Sequence, residues 1–523
     1  MRKIFLVGAG LLLSLGVSAQ SVVKGYVYND VNANGKADKS EKGLPNVAVT
    51  NGSAVVLTDA KGYYELPIGD DQIISVIKPT GYKVPLNEDN LPQFFYNHKP
   101  NGSPALKYKG VSPTGALLKA VNFFLTEAEE NSDFTALIFG DPQAYNLDEM
   151  EYYAKGVVAE VEGIKNVAFG LSMGDLVGND PTLFAPYTKA TKKAGIPWYN
   201  LMGNHDINFD VKDDKYSDES YEAHFGPTDY AFNYGNVHFI VLDDIIYPDP
   251  RGGKSYWGGL RSEQIEFVKN DLKFVPKDKL IVIAFHIPIG FAGENDAFRE
   301  ADRNQLFELL AEYPNTLSLS AHTHNQKQMF FTKKDGWKQT KPHHHYNVGT
   351  TSGNWYSGEL NEIGVPVSTM SDGTPKGYAF INFKGNQYTV DYKVAGKAKD
   401  FQIEIYAPKV LEKDKKTSAG IYANFFMGSE KDEVLYRLDG GAWKKMKYVL
   451  ESDPGFLSTL HKWDNTETLL SGRRPSAPAE CKHLWRVAVP ANLNAGEHTI
   501  EVKATDMFGK TYTASKKYNI LAK

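Results

Sequence analysis

Five apolar stretches in the middle of the chain each end in side chains able to hold a cation. TALIFGDPQ delivers Asp141 and Gln143, NVAFGLSMGD delivers Gly174 and Asp175, and PWYNLMGNHD delivers Asn204, His205 and Asp206. KLIVIAFHIP contains His286, and NTLSLSAHTHN ends in His322 and His324. In α/β proteins, strands hold ligands at their carboxyl ends, so five such strands sharing a sheet would converge on one rim. Carboxylate oxygens mixed with imidazole nitrogens suit Zn, Mn or Fe, whereas oxygen-only sites suit Mg or Ca. Asp175 carries two oxygens and can bridge two ions. Two ions ~3.5–4 Å apart can generate a hydroxide and clamp the entering and leaving oxygens of a phosphoryl group. Each piece alone has a plainer reading. Asp175 after a glycine is a common cap or turn, His286 a satisfied core histidine, GNHD a turn, and AHTH an alternating strand end. The ordered set of all five is what points to metal.

The elements around these residues read as three domains. From about 132 to 396, apolar strands alternate with helical patterns, the signature of an α/β layered domain. Its clearest helix, SEQIEFVKNDLKFV, places Ile265, Val268 and Leu272 on one face. Residues 20–131 are short β-branched and aromatic runs broken by Gly, Asp and Asn turns, a β-sandwich module. Residues 397–523 return to short strands, with a hairpin around MFGK, and suggest an immunoglobulin-like sandwich. Apolar residues make up 42% and charged residues 23%, a balance able to bury real cores. A net charge of −5 with no basic stripe gives no nucleic-acid signal. The single cysteine, Cys481, excludes an internal disulfide framework and a cysteine zinc cluster.

The first nineteen residues read as a signal peptide. Arg2 and Lys3 precede the apolar run Ile4–Val17, and Val17-Ser18-Ala19 fits a cleavage site. That run is short for a bilayer span and no second one follows, so a periplasmic or secreted protein without a membrane span is expected.

At this point the middle of the chain resembles the calcineurin-like metallophosphoesterases. Their ordered motifs D-x-H, G-D-x-x, G-N-H-[DE], a lone His and G-H-x-H stand here as Asp141-Pro142-Gln143, Gly174-Asp175, Gly203-Asn204-His205-Asp206, His286 and Ala321-His322-Thr323-His324. The β modules on both sides are similar to a group of exported bacterial phosphoesterases. The resemblance implies a four-layer α/β/β/α sandwich with two mixed sheets. It implies that Asp141, Asp175 and His324 hold a first divalent metal ion. The second would be held by Asn204, His286, His322 and the bridging Asp175. A hydroxide bridging the two ions would attack a phosphate mono- or diester, with His205 beside the leaving oxygen as proton donor or charge stabiliser.

Three positions depart from the family pattern, the smallest being Ala321 for the first glycine of the last motif, which leaves both histidines in place. Where many members have an Asp that orients the catalytic His, this chain has Gly178, with Asn179, Asp180 or Asp206 as possible substitutes. Where the first motif has a His, it has Gln143. An extended Asp141-Pro142-Gln143 puts Asp141 and Gln143 on one face, with Pro142 holding Asp141 extended. Gln143 is therefore expected to ligate the first metal through its amide oxygen, with a preference shifted from Zn toward Mn, Mg or Fe.

Other segments carry further expectations. In DVNANGKADKSE, the residues Asp30, Asn32, Asn34, Asp38 and Glu41, with Gly35 at the turn, have calcium-loop spacing. An ordinary Asn/Gly-rich turn is the alternative. In KPHHHYNVGTTSGNWYSG, Asn354, Trp355 and Tyr356 with the three histidines either form a rim that touches substrate or a plain strand–turn–strand. Arg299 and Arg303 either reach a phosphate or face water. The functional expectation is an exported metal-dependent phosphoesterase. The rival is a non-catalytic extracytoplasmic glycan- or protein-binding protein with a relic central domain. A relic is expected to lose ligands, and only the Gln143 position departs from the usual set.

Overall fold

The computed structural model describes residues 21–252, 255–290 and 297–522; the expected signal peptide lies outside the described residues. No helix among the described residues is long and apolar enough to cross a membrane.

The middle of the chain is built on two mixed sheets. In the first, the strand Phe169–Met173 pairs in parallel with both Asp133–Phe139 and Trp198–Leu201. Gly377–Lys384 then adds antiparallel to Asp133–Phe139, followed by Gln387–Val394. In the second, Val237–Val241, Leu280–Ala284, Thr316–Ser320 and His343–Asn347 run parallel, with Tyr230–Tyr234 and Lys327–Phe331 antiparallel at the edges. The central strands are buried on both faces, which is why they read as continuous apolar runs rather than as alternation.

Aromatic side chains fill the space between the sheets. Phe169 meets Phe232 and Phe239 edge-on, each at 5.3 Å, and Tyr199 lies flat on Phe232 at 4.2 Å. Each fully buried aromatic contributes ~1.5–3 kcal/mol by area. Helices cover the outer faces. Tyr153 of helix Leu147–Gly156 packs edge-on against Phe139 at 6.2 Å, and Phe307 of helix Glu300–Leu309 against Phe331 at 5.4 Å. The result is the expected α/β/β/α order. Helix Ser262–Leu272 buries Gln264, Phe267, Val268, Asp271 and Leu272, a face rotated slightly from the expected one, and Ile265 packs at its edge.

Both flanks are sandwiches of antiparallel-rich sheets. The N-terminal flank stacks two four-stranded sheets, and Val22–Asn29 alternates with Val23, Gly25 and Val27 inward. The C-terminal flank stacks a four- and a five-stranded sheet around Phe425, Trp485 and Tyr512. Its helix Pro454–Asp464 was not anticipated, although Asp453-Pro454 is a readable start: Asp453 accepts from Phe456 N at 2.8 Å. A buried polar cluster ties this flank to the middle sheets. His483 stands 3.2 Å from Asp372 and 2.7 Å from Asn424 Oδ1, while Asp372 also accepts from Gln326 N at 2.8 Å.

The three adjacent histidines belong to the core and not to a rim. His343 and His345 interleave with Thr316, Ser318 and Ser320 of the neighbouring strand in contacts of 2.7–2.8 Å, and Ser320 then donates to Asn347 Oδ1 at 2.9 Å. Because Asn347 Oδ1 can only accept, every hydroxyl in the ladder donates toward it, and both rings are neutral with Nε2 protonated. His344 points to the opposite face, accepting from Tyr388 at 2.8 Å and donating to Gln328 at 2.7 Å.

Burial pushes the His344 pKa down to about 3. An unfolded histidine titrates near ~6.5, so the unfolded chain binds the extra proton as pH falls below that value. The contribution of the neutral ring is complete above ~6.5 and is lost toward the folded pKa, at ~1.4 kcal/mol per pH unit. His344→Gln should therefore lose stability less steeply than the parent between pH 6.5 and 5, by the slope of about one proton. Urea midpoints across that range test this, and equal slopes would place a charged ring inside the fold.

Candidate metal centre

The residues expected to bind metal come from both sheets, not from one. Asp141, Asp175 and Asn204 follow strands of the first sheet, and His286, His322 and His324 follow strands of the second. The chain turns sharply at each strand end. Asp141, Gln143, Asp175, His322 and His324 all have left-handed backbones, with φ of 33°, 38°, 47°, 66° and 49°. Asp141-Pro142-Gln143 is thus not extended, and His322 and His324 sit in a turn rather than alternating along a strand. Such conformations cost of order ~1–3 kcal/mol each in non-glycine residues and cluster at functional sites. Two glycines permit close approach at the rim, Gly174 to the other sheet and Gly203 to the neighbouring strand end of its own. A Cβ on Gly174 would stand 2.5 Å from His286 Nδ1, and one on Gly203 would stand 2.1 Å from the backbone nitrogen of Asp175.

The ligand-capable atoms converge. Asp175, His286 and His322 each place one within 4.8 Å of the others. Around His286 Nε2 lie Asn204 Oδ1 at 3.1 Å, His322 Nδ1 at 3.2 Å and Asp175 Oδ2 at 3.3 Å. His286 Nδ1 donates to the Met173 carbonyl at 2.8 Å, which leaves Nε2 as the inward atom. A second pair forms beside it. His324 Nδ1 donates to Gly353 O at 2.6 Å, and Gln143 Oε1 faces His324 Nε2 at 2.7 Å. With the ring proton committed to Gly353, both facing atoms offer lone pairs, an arrangement suited to a shared cation. Asp141 receives His322 N on both carboxylate oxygens, at 3.0 and 3.2 Å, and stands 3.8 Å from His286.

The protonation states fit the same reading. Burial pushes His322 and His324 down to about 3 and about 4, so both are neutral imidazoles, the form that binds metal. Burial also works against charging His286, but Asp175 and Asp141 outweigh it and raise its pKa to about 10. Burial opposes ionisation of Asp175 too, yet His286 and His205 hold it low, whereas burial keeps Asp141 high. A divalent cation among these groups would replace the His286 proton and ionise Asp141. The donor set, two carboxylates with two amides and three imidazoles, fits divalent transition metals.

His205 lies at the edge of the cluster. Its N–H donates to Asp175 Oδ1 at 2.9 Å, and its Nδ1 meets Asn179 Oδ1 at 2.7 Å. Asn179 is therefore the residue that orients His205. Asp206 is instead buried beneath the loop, accepting from Gly203 N, Leu176 N and Val177 N. Tyr145 occupies the space that Gly178 leaves, since a Cβ there would come within 2.4 Å of its ring. Tyr145 also sits 5.8 Å from the His205 ring, and its hydroxyl accepts from Gln143 Nε2 at 3.4 Å, which turns Oε1 toward His324.

Sequence reading missed Asp244, which is buried and accepts from His286 N at 3.0 Å and Ile287 N at 2.9 Å. The only signal was its place in Asp243-Asp244, at the end of an apolar strand. Trp355 lies at the rim, stacked on the His324 ring at 4.1 Å, and Asn354 bonds Ser476 beside it. Tyr356 points inward to Pro142 O. Arg299 and Arg303 turn to their own helix, toward Asp302 and Glu300, and do not reach the cluster. In the N-terminal loop, Asp30 takes Asn34 N and Gly35 N, Asp38 takes the Asn32 and Asn34 amides, and Glu41 takes Val31 N and Asp38 N.

Known proteins place this geometry in a family. Residues 134–326 match calcineurin-like phosphoesterase, residues 31–109 its N-terminal domain and residues 345–512 its C-terminal domain. The chain belongs to the calcineurin-like phosphoesterases and carries both flanking domains. Among solved structures, it is similar to the purple acid phosphatase PPD1 from yellow lupin (Lupinus luteus) seeds. That alignment has 11% identity and a TM-score of 0.37, covering 71% of this chain and 66% of that one. It is also similar to GAP50, the anchor in the inner membrane complex of Plasmodium, with 14% identity, a TM-score of 0.33, and coverage of 51% and 85%. No curated protein matches the sequence.

If Gln143 Oε1 holds the first cation with His324, Gln143→Leu should lower retention of one metal equivalent at least ~10-fold, the smaller effect seen even for groups one shell further out. Gln143→His should tighten that site and favour Zn. Metal content after dialysis is the readout, and a Gln143→Leu variant that keeps two equivalents would remove Gln143 from the ligand set.

Proposed function

We propose that the protein is a metal-dependent hydrolase of phosphate esters, with a first cation held by Asp141, Gln143, Asp175 and His324 and a second by Asp175, Asn204, His286 and His322. The observation that carries this reading is the convergence of Asn204, His322 and Asp175 on His286 Nε2 at 3.1–3.3 Å, with His205 alongside. When bound, divalent cations supply Lewis acidity and activate water as a nucleophile at neutral pH.

The chain's own groups do the rest. Asp244 holds the His286 backbone and Met173 O its ring, and Gly353 O fixes the ring of His324, so that both Nε2 atoms face inward. Asn179 accepts from His205 Nδ1, which leaves Nε2 for a proton delivered to the departing oxygen. An amide oxygen adds no charge, so His205 works without the carboxylate that would stabilise its protonated form.

His205→Ala should keep its metal and slow turnover by ~10²–10⁴-fold on an alkyl phosphate. Asn179→Asp should put a carboxylate against His205 Nδ1, which favours the charged ring. The high-pH limb of kcat/KM should then move to higher pH. Unchanged turnover in His205→Ala on a poor leaving group would exclude it as the acid, and loss of metal would make it a ligand.

We propose also that Asp30, Asn32, Asn34, Asp38 and Glu41 hold calcium, with Gly35 in the left-handed turn at φ 69°. Calcium bound only by the folded chain stabilises it. The full chain should unfold at higher temperature in calcium than in chelator, in a transition lost in Asp30→Ala. Identical unfolding in both would leave the loop a self-bonded turn.

A further inference from the structure

Beside the metal centre, a cavity of about 310 Å³ opens between the middle sheets and the C-terminal flank, lined by Tyr145, Trp355, Asn354, Arg473 and Ser476 among others. Both of its aromatic walls touch the metal cluster: Trp355 stacks on His324, and Tyr145 meets Gln143 and His205. The Tyr145 wall puts the cavity on the His205 side, where the proposed chemistry releases the alcohol.

The floor is held under strain. Trp355 and Tyr356 are consecutive left-handed residues, at φ 49° and 51°. Tyr356 pins the turn from below through Pro142 O, and Arg473 pins it from above by donating to Trp355 O. Asn354 and Ser476 lock the two domains together through contacts of 2.7 and 2.8 Å.

The two adjacent arginines differ in what they leave available. Arg474 is spent on Asp464, to which it makes two bonds of 2.5 and 2.7 Å. Arg473 has only a long ion pair among the described residues. Its nearest carboxylate oxygen among the described residues, Glu149 Oε1, is 4.0 Å away, and Glu149 Oε2 is engaged by Tyr145 N at 2.8 Å. One Arg473 nitrogen serves Trp355 O, and the remaining donors form a planar fork suited to a carboxylate or phosphate.

Resting on the proposed hydrolase function, we propose that this cavity receives the leaving group and that Arg473 selects esters whose leaving group carries a second anionic group. The C-terminal flank is thereby part of the substrate site. The hydrolysis itself is unchanged: the P–O bond to the leaving group breaks, water supplies the new P–O bond, and the departing alcohol takes a proton.

The test uses the manganese-loaded full chain with 3-phosphoglycerate and glycerol 3-phosphate, whose leaving groups differ chiefly in a carboxylate. The parent should have the higher kcat/KM for 3-phosphoglycerate. Arg473→Ala should lower the ratio of the two kcat/KM values by about 10-fold or more, the size of a hydrogen bond to a charged group, and Arg473→Lys should fall between. A ratio unchanged in Arg473→Ala, or a parent that prefers the neutral leaving group, overturns the proposal. If Arg473→Ala does not fold, Arg473→Gln supplies the same comparison. If the metal-loaded chain cleaves neither ester, the same ratio taken from calorimetric dissociation constants decides the role of Arg473.

Discussion

The rim of the two sheets depends on keeping like charges out of water and close together. Asp141, Asp175, Asp206 and Asp244 are all at most 1% exposed, as are His286 and His324. A buried carboxylate without a partner costs several kcal/mol. The fold answers mostly with backbone N–H groups: three for Asp206, two for Asp244, one shared by both oxygens of Asp141, and one for Asp175. What faces inward is the set of ligand-capable atoms on Asp175, Asn204, His286, His322 and the Gln143–His324 pair. The backbone thus serves these carboxylates, while the atoms a cation would bind are gathered on the inner side.

That arrangement explains which features were readable in the sequence. The central strands announced themselves as apolar runs, and the residue types at their ends announced a metal centre, because both follow from local composition. The glycines of Gly174-Asp175 and Gly203-Asn204 were visible, and their cause is steric: each sits where a Cβ would strike His286 or Asp175. The backbone path at the rim was not readable. Pro142 argued for an extended Asp141, yet the sheets demand a left-handed turn there, and tertiary packing prevailed. Nor could the sequence show that Met173 O and Gly353 O set the histidine tautomers, since any residue supplies a carbonyl. The histidine run misled for a related reason. Three adjacent imidazoles suggest a polar rim, but a strand neighbour with Thr316, Ser318 and Ser320 in register satisfies His343 and His345 inside the core.

Two of the departures from the family pattern, at positions 143 and 178, are one local solution. Glycine at position 178 makes room for the Tyr145 ring, and the Tyr145 hydroxyl then accepts from Gln143, fixing which end of that amide faces His324. With position 178 lacking a side chain, the next residue, Asn179, holds His205. Glutamine in the first motif, glycine after the second and asparagine beside it are thus joined by contact. A change at one of these positions alters the environment of the other two, so their individual effects will not add.

The C-terminal flank is part of this same construction. Its family segment begins at residue 345, inside the strand His343–Asn347, and includes the two outer strands of the first middle sheet. Its sandwich returns to the centre twice. His483 and Asn424 close on Asp372, which holds the backbone of Gln326 two residues after His324. Arg473 and Ser476 close on the turn carrying Trp355 and Asn354. Both contacts brace segments that touch His324, one along its own segment and one through the indole stacked on its ring. Sites of this kind need side chains placed to about 0.5 Å, which loops alone hold poorly. A second domain anchored by buried polar bonds supplies that stiffness, and so the module that lines the pocket also holds the His324 side of the metal centre in place.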